Sequence, residues 1–469
     1  MAFTEFCCRS GGSNLNAGTR AGNSTEPGTS ASFTYASGSW VSATGVFTVA
    51  SGNPSTDGVA VGDFASVYAD GASVTTLVGR VTAVSSTTIT VSTTAKSGTT
   101  TDGTSNRTLR IGGAWQGPNG SLAFPFTLST SFANCTNSAG NPPRINLKND
   151  QTYSMTASIS ATASTDGICL QGYTSSYDDA GKATIDGGNS GASYNLIDTS
   201  NLNGSRFVDL CFNRNGSTGT TTGVRAGGNR NYWFRCVASN MKGIGLAHIH
   251  TGCVYEQCEF YGNGVGGFNS SGGHMQVIRS ISHDNTGYGF SFNTHGDAAY
   301  NCIADTNTTA GFTIASINSI VLSHCDTYNN GTSGVVCTGT GQLSLINCNF
   351  VKNAAFGINA ALTIKGFARN CGFGSGTMAN TSGQSTVGAF FDFTGSVTYG
   401  SNLSPWQDAD NGDFRVSLAA AKAAGAGAWT ETAASYTGTV AYPDIGAAQS
   451  QGSGGASGFS LSCLINLGG

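Results

Sequence analysis

Three groups of side chains in this sequence have the types and spacing to do chemistry. Asp284 and Asp305 lie about one internal repeat apart, so they are expected to face each other on adjacent coils. Two carboxylates so placed can divide the acid and base duties of glycosidic cleavage. His250, His274 and His295 recur at a similar interval, and stacked imidazoles can hold a metal ion or line a sugar groove. Tyr288 and Tyr300, with Trp233, Tyr255, Tyr261 and Tyr328, interleave with polar residues and offer faces on which sugar rings stack. Each group also has a plainer reading: turn acids, polar turn decoration, and packing against a neighbouring subunit. His248, His283 and His324 fall outside the histidine column. Glu256 and Glu259 are expected on opposite faces of one strand, and Tyr177-Asp178-Asp179 with Asp186 reads as a solvated loop. The clustered carboxylates that would hold Ca²⁺ are not in the pattern, so no metal or cofactor is expected.

The elements that position these residues are announced by repetition. Cys211, Cys236, Cys258, Ser280, Cys302, Cys325, Cys348 and Cys371 recur at intervals of 22 to 25 residues. Asn215, Asn240, Asn263, Asn285, Asn307, Asn330 and Asn353 follow them at four or five residues. A third ladder is Gly before an apolar residue: Gly223-Val224, Gly243-Ile244, Gly267-Phe268, Gly289-Phe290, Gly311-Phe312, Gly334-Val335 and Gly357-Ile358. A unit this short cannot bury its own apolar face, so it must stack on its neighbours. The product is a parallel β-solenoid in which small Cys or Ser fills an interior column. Asn suits the turn column because it tolerates left-handed backbone and its amide can bond the next Asn in the stack. Stacked cysteines have parallel Cβ vectors, which does not suit a disulfide, so they read as buried thiols from a reducing compartment. Cys7, Cys8 and Cys463 are left open.

Composition agrees. Charged residues are 10% of 469, and 68 are Gly, which fits many short strands joined by tight turns. A net charge of -4 without any basic run makes nucleic acid and anionic membrane poor partners. No apolar run is long enough to span a bilayer, and the first residues carry no signal-peptide pattern.

The chain resembles the right-handed parallel β-helix, or pectin-lyase-like, superfamily. Beyond the ladders, the resemblance rests on the opening Phe6 to Thr19 (FCCRSGGSNLNAGT), Pro125-Phe126-Thr127-Leu128, Asn149 to Met155 (NDQTYSM), Asp408 to Val416 (DADNGDFRV) and Pro443 to Gln449 (PDIGAAQ). It implies an all-β, right-handed parallel β-helix with coils of 22 to 23 residues. For function it implies little, since the fold hosts lyases, hydrolases, adhesins and phage spikes.

Five short strand patterns with turns between them, Val46 to Val49, Ala65 to Tyr68, Thr76 to Val81, Thr88 to Val91 and Thr108 to Ile111, interrupt the first coil. They predict a small inserted β-barrel or sandwich that caps the rod. The expected organisation is 1–36 opening strand, 37–115 inserted domain, 116–400 β-helix, 401–450 C-terminal cap, and 451–469 a Gly/Ser linker with an apolar strand. That last strand, alternating Phe459, Leu461, Cys463, Ile465 and Leu467, either joins a neighbouring subunit or folds back.

Three functions fit. The leading expectation is a bacteriophage virion protein of tailspike or tail-fibre type, a homotrimer that meets other virion proteins and attaches to a cell-surface polysaccharide. The second is a non-binding decoration or fibre subunit. The third is a polysaccharide lyase or hydrolase using Asp284 and Asp305, disfavoured because so sparsely charged a rod has little with which to shift a pKa.

Overall fold

The computed structural model describes residues 3–20, 26–72, 77–118, 130–136, 138–160, 165–188, 194–213, 222–315, 319–339, 341–360, 364–374, 391–392, 397–398, 406–408 and 413–416. Over these residues the chain is a parallel β-helix of three long sheets with 12, 11 and 9 strands, joined near its start to a closed six-stranded barrel. One coil gives the plan. Tyr232–Phe234 enters the first sheet, Val237–Ser239 the second and Ile244–His248 the third, before Val254–Glu256 returns to the first. Successive coils pair in parallel, as in the row Trp233, Tyr255, Val277, Ala299, Leu322.

Alternation along a strand turns the central residue of each three-residue strand inward. Trp233 and Tyr255 therefore lie in the lumen, fully buried, and not among the outward aromatics as expected. Ala238, Phe260, Ser282, Ala304 and Thr327 do the same on the second sheet.

Two residues join the first sheet to the second. The leading one takes left-handed backbone in coil after coil: Asp209, Arg235, Gln257, Arg279, Asn301, His324, Asn347 and Asn370, with φ between 49° and 55°. This corner directs the next residue into the core, and from Cys236 to Cys371 that residue is the predicted Cys/Ser column, all buried. The thiols reach main-chain carbonyls: Cys302 Sγ lies 3.4 Å from the oxygens of Val277 and Tyr300, and Cys348 Sγ 3.4 Å from those of Leu322 and Ile346. Cys211 is not part of the column. It pairs with Val237, one place too far, and Leu210 fills the rung instead. A slip of one residue turns a side chain to the other face, and Cys211 is accordingly half-buried. Cys7 and Cys8 are buried free thiols, and Cys463 lies outside the described residues.

The Asn ladder is a continuous hydrogen-bonded stack from Asn263 through Asn285, Asn307 and Asn330 to Asn353. Each Nδ2 donates to the Oδ1 of the next Asn, at 2.9, 2.8, 3.0 and 2.9 Å. The same Oδ1 accepts the backbone N–H of the earlier Asn at 3.1 to 3.2 Å. The second Nδ2 hydrogen goes back to a main-chain carbonyl, as from Asn285 to Phe260 at 3.2 Å. Every donor and acceptor of the buried amide is used, which is what burial of a polar side chain requires. The left-handed backbone belongs to the residue before: Gly262, Asp284, Thr306, Asn329 and Lys352. Asn240 occupies that preceding column, with φ 58°, while Met241 takes the ladder place and donates its N–H to Asn263 Oδ1. Asn215 lies outside the described residues.

Packing beside this stack explains the glycines. A Cβ on Gly311 would lie 2.8 Å from the Gly334 carbonyl oxygen and 3.1 Å from Asn330 Nδ2. The corresponding glycine one coil before Gly267 is Gly245, not Gly243, since Leu246 pairs with Phe268.

The barrel closes through Phe33–Val41, Val46–Thr48, Thr88–Gly98, Leu77–Val84, Phe64–Ala69 and Gly103–Ile111. The strand Phe33–Val41 was not among the five patterns read from sequence, and it starts upstream of residue 37. A core of its own includes Trp40, Phe47, Val67, Ile89 and Leu109. Phe64 and Val78 instead join the core of the β-helix with Phe6, Trp115 and Phe132, so the barrel is packed onto the opening coil. Phe6 stacks on Trp115 at 5.2 Å and meets Phe64 edge-on at 5.1 Å.

Candidate functional site

The outward surface of the second sheet consists of two rows of side chains, because only the central residue of each strand turns in. One row runs Ser239, Tyr261, His283, Asp305, Tyr328, Val351, of which Tyr261, His283 and Asp305 are half-buried while Ser239, Tyr328 and Val351 are buried, Tyr328 contrary to its expected place on the polar face. The other begins Val237, Glu259, Ile281, Ile303. Asp284 follows His283 at the left-handed corner that leads into the Asn ladder.

His283 organises this surface. Its Nδ1 lies 2.7 Å from Asp284 Oδ2 and its Nε2 3.2 Å from Glu259 Oε1. Its ring stacks on Tyr261, with centroids 5.1 Å apart and planes within 10°. Burial opposes protonation, but the hydrogen bonds to Glu259 and Asp284, with the charges of Asp305 and Asp284, push the imidazole up to about 9. It is therefore an imidazolium at neutral pH. The hydrogen bond from His283 in turn holds the Glu259 carboxyl below its ordinary value against burial. Asp305 goes the other way, raised by burial although the His283 charge opposes this.

Asp305 pairs with His283, which sets Asp284 level with Thr306, so the two acids do not face each other as the spacing predicts; both act on His283, Asp284 by a hydrogen bond and Asp305 by its charge. Glu259 and His283 were passed over as site residues. The signal was present: Tyr261, His283 and Asp305 recur at 22-residue intervals, like the thiols beside them. Glu256 and Glu259 do not share a strand. They sit on either side of the corner, in Val254–Glu256 and Glu259–Tyr261, and both face outward.

The other candidates are dispersed. His250, His274 and His295 lie in the turns from the third sheet to the first but do not form one column. Gln276 pairs with Ala298, which sets Gly296 level with His274 and leaves His295 one place aside. His274 and His295 meet edge-to-face at 4.8 Å, both exposed, while His250 packs its backbone under Gly272. Among the described residues no group of three or more His, Cys, Asp or Glu side chains is placed to hold a metal ion. Tyr288 is on the third sheet, its hydroxyl accepting from Asn269 Nδ2 at 3.1 Å, and Tyr300 is on the first. The loop at 177–179 is pinned and not a free excursion. Tyr177 meets Tyr173 edge-on at 5.0 Å, Asp178 pairs with Arg144 at 2.8 Å, and Asp179 accepts backbone N–H groups of Thr174, Ser175, Ser176 and Gly181.

Residues 222–370 match the family model described as "Right handed beta helix region", the span that contains the Asn stack, the Cys/Ser column up to Cys348 and the His283 surface. Among solved structures, pectate lyase Pel9A is similar at 17% identity over 66% of this chain and 88% of that chain, with a TM-score of 0.41. The A-module of Azotobacter vinelandii mannuronan C-5 epimerase AlgE4 is similar at 12% identity over 49% and 67% of the two chains, with a TM-score of 0.35. The catalytic unit of a GH87 alpha-1,3-glucanase from Streptomyces thermodiastaticus is similar at 11% identity over 76% and 89%, with a TM-score of 0.28. No curated protein matches the sequence.

Proposed function

We propose that this chain is a saccharide-binding β-helix of a virion, of tailspike or tail-fibre type, which attaches to a cell-surface glycan through the outward face of its second sheet. The observation that carries the reading is the row Tyr261, His283, Asp305 with Glu259 and Asp284 beside it. Carboxylates on a rigid sheet accept hydrogen bonds from sugar hydroxyls, and Tyr261 supplies an aromatic surface next to them. Tyr261, His283 and Asp305 repeat at the strand spacing of about 4.8 Å, so the accessible part of the row spans three coils and suits a short stretch of glycan lying along the rod. The sparse charge, the thiol column and the hydrogen-bonded Asn stack support a stiff rod built in a reducing compartment, and the trimer belongs to the same proposal. The test is a glycan array with the intact protein, Tyr261→Ala and Asp305→Ala, together with a native mass measurement. Wild-type binding that both variants lose supports the reading. An array without binding refutes attachment, and a clean monomer at all concentrations refutes the trimeric spike.

A second reading, hydrolysis, is favoured by one observation. Burial raises Asp305 while His283 keeps Glu259 ionised, the division of roles between a general acid and a base or nucleophile. Asp305→Asn and Glu259→Gln should then abolish cleavage of a bound oligosaccharide and leave binding in place. Unchanged cleavage in both removes these residues from any mechanism.

A further inference from the structure

Six thiols share one column in the lumen. Cys236 and Cys258 form a first run, Ser280 interrupts it, and Cys302, Cys325, Cys348 and Cys371 form a second, with no member more than 2% exposed. The strands on either side of this corner keep one register from coil to coil, so each residue of the column stands directly over the next. The side chains repeat as well. In Cys236, Cys258, Cys302, Cys325 and Cys348, Sγ lies 3.4 to 3.6 Å from the carbonyl oxygen two residues before it and from one on the preceding coil. Successive sulfurs are therefore related by one coil rise, about 4.8 Å. With parallel Cβ vectors, that is far beyond a disulfide bond of about 2.05 Å. It is close to the roughly 4.6 Å that two metal–thiolate bonds of about 2.3 Å span when laid end to end.

We infer that adjacent thiols of this column bind a soft divalent cation of the Hg(II) type, held linearly between two sulfurs, with one ion each for Cys236 and Cys258, Cys302 and Cys325, and Cys348 and Cys371. Binding replaces two S–H bonds by two S–Hg bonds and releases both protons to solvent. Two thiolates and one divalent ion make a neutral unit, which suits a dry lumen where an isolated charge is costly. A tetrahedral ion such as Zn(II) takes four ligands, whereas the described residues nowhere bring together even three of His, Cys, Asp and Glu to hold a metal. The column offers two ligands per ion, and thiolates select soft ions. The thiol protons are expendable. The Tyr300 carbonyl beside Cys302 also accepts the Arg279 N–H at 2.8 Å, and the Ile346 carbonyl beside Cys348 accepts that of His324 at 2.8 Å, so neither oxygen is orphaned when the thiol proton leaves. Ser280 is engaged already, its hydroxyl donating to the Ile278 carbonyl at 3.0 Å and accepting the Cys258 N–H at 3.1 Å. It divides the column into runs of two and four, each an even number. The site lies in the lumen and is independent of the glycan surface proposed above.

The experiment refolds the reduced full chain from urea with mercuric chloride and excess glutathione, then counts by native mass spectrometry the ions retained without a glutathione adduct. Refolding admits the ion to a column that the folded chain closes. Glutathione competes away an ion held by a single thiol, while a preorganised pair keeps it. Two double variants lack the same number of thiols but differ in adjacency. Cys302→Ser with Cys371→Ser keeps Cys325 next to Cys348, whereas Cys302→Ser with Cys348→Ser leaves no adjacent pair in the second run. The first should hold one ion fewer than the wild type and the second two fewer. X-ray absorption of the loaded wild type should show two sulfur neighbours at about 2.3 Å. Equal losses in the two variants, no ion retained by the wild type, or three or four sulfur neighbours overturns the inference. Serine already fills the column at Ser280, and urea midpoints of the metal-free variants check that they fold. The absorption measurement needs no variant, so it decides the coordination even where a doubly substituted chain does not fold.

Discussion

Two buried groups in one stretch of the lumen should respond to acid in opposite directions, and separating them is a stringent test of the packing described above. His248 ends an inward-facing row, has no exposed surface, and places Nδ1 3.0 Å from the Tyr255 hydroxyl, while Nε2 is buried without a hydrogen-bond partner. Burial, aided by the nearby His250, holds its pKa down to about 4. Asp297, in the turn two coils on, is pushed up to about 6 by burial, despite hydrogen bonds from Ser270, the Met275 N–H and Thr294. For the histidine, the unfolded chain takes up a proton below about 6.5 that the folded chain refuses until about 4, so stability falls with acidification across that window. For the aspartate, the folded chain takes up a proton below about 6 and the unfolded chain only below about 3.8, so stability rises as pH falls between them. Each shift of two units or more corresponds to roughly 3 kcal/mol as an upper figure, since one unit is about 1.4 kcal/mol. The two effects should largely cancel in the wild type between pH 6 and pH 4. His248→Gln keeps a partner for Tyr255 but does not titrate, and should expose a gain in stability on acidification. Asp297→Asn should expose a loss. The assay is the urea midpoint of the three proteins across this pH range, with the wild type as the internal reference. Parallel pH profiles for all three, or a folded-state His248 resonance that titrates near 6.5, would refute the burial argument.

Other outcomes follow from the same geometry. His283→Gln should remove a stabilisation that is full below about 6.5 and lost as pH rises through about 9, so wild type and variant should converge in melting temperature on alkaline titration. Asn307→Ala, in mid-ladder, leaves the donors of Asn285 and an acceptor of Asn330 without partners and should cost about 1 to 3 kcal/mol by urea denaturation. Gly311→Ala should cost a similar amount, about 1 to 3 kcal/mol, because its methyl group meets the Gly334 carbonyl. Cys302→Ser should change the midpoint little, since Ser280 already occupies the same column.

The repeating core was legible because stacking imposes one residue type on a column. Five asparagines can satisfy one another only if each coil supplies one, and the sequence displays that demand directly. The misreadings share a cause. Cys211 and Asn240 are of the right type but one place from their columns, where Leu210 and Met241 stand, and neighbouring identical residues hid the shift. The histidines failed because their turns differ in register while the strands around them do not. Trp233 and Tyr255 were misassigned by parity, which only the strand boundaries fix. The His283 surface was half legible: spacing singled out Asp284 and Asp305 but set them one column too close, and the imidazole that both act on was set aside because the search followed another column.

The Asn stack has one further consequence. All its side-chain amides point the same way, each giving one hydrogen to the Asn of the coil that follows and one to a carbonyl of the coil before, so along the stack each coil presents to its successor the same hydrogen-bonding pattern it received. A segment duplicated or deleted in whole periods would keep the Asn stack in register. Each such period adds or removes one repeat and one interface of stability, and the rod lengthens or shortens in whole coils like a ruler gaining or losing graduations.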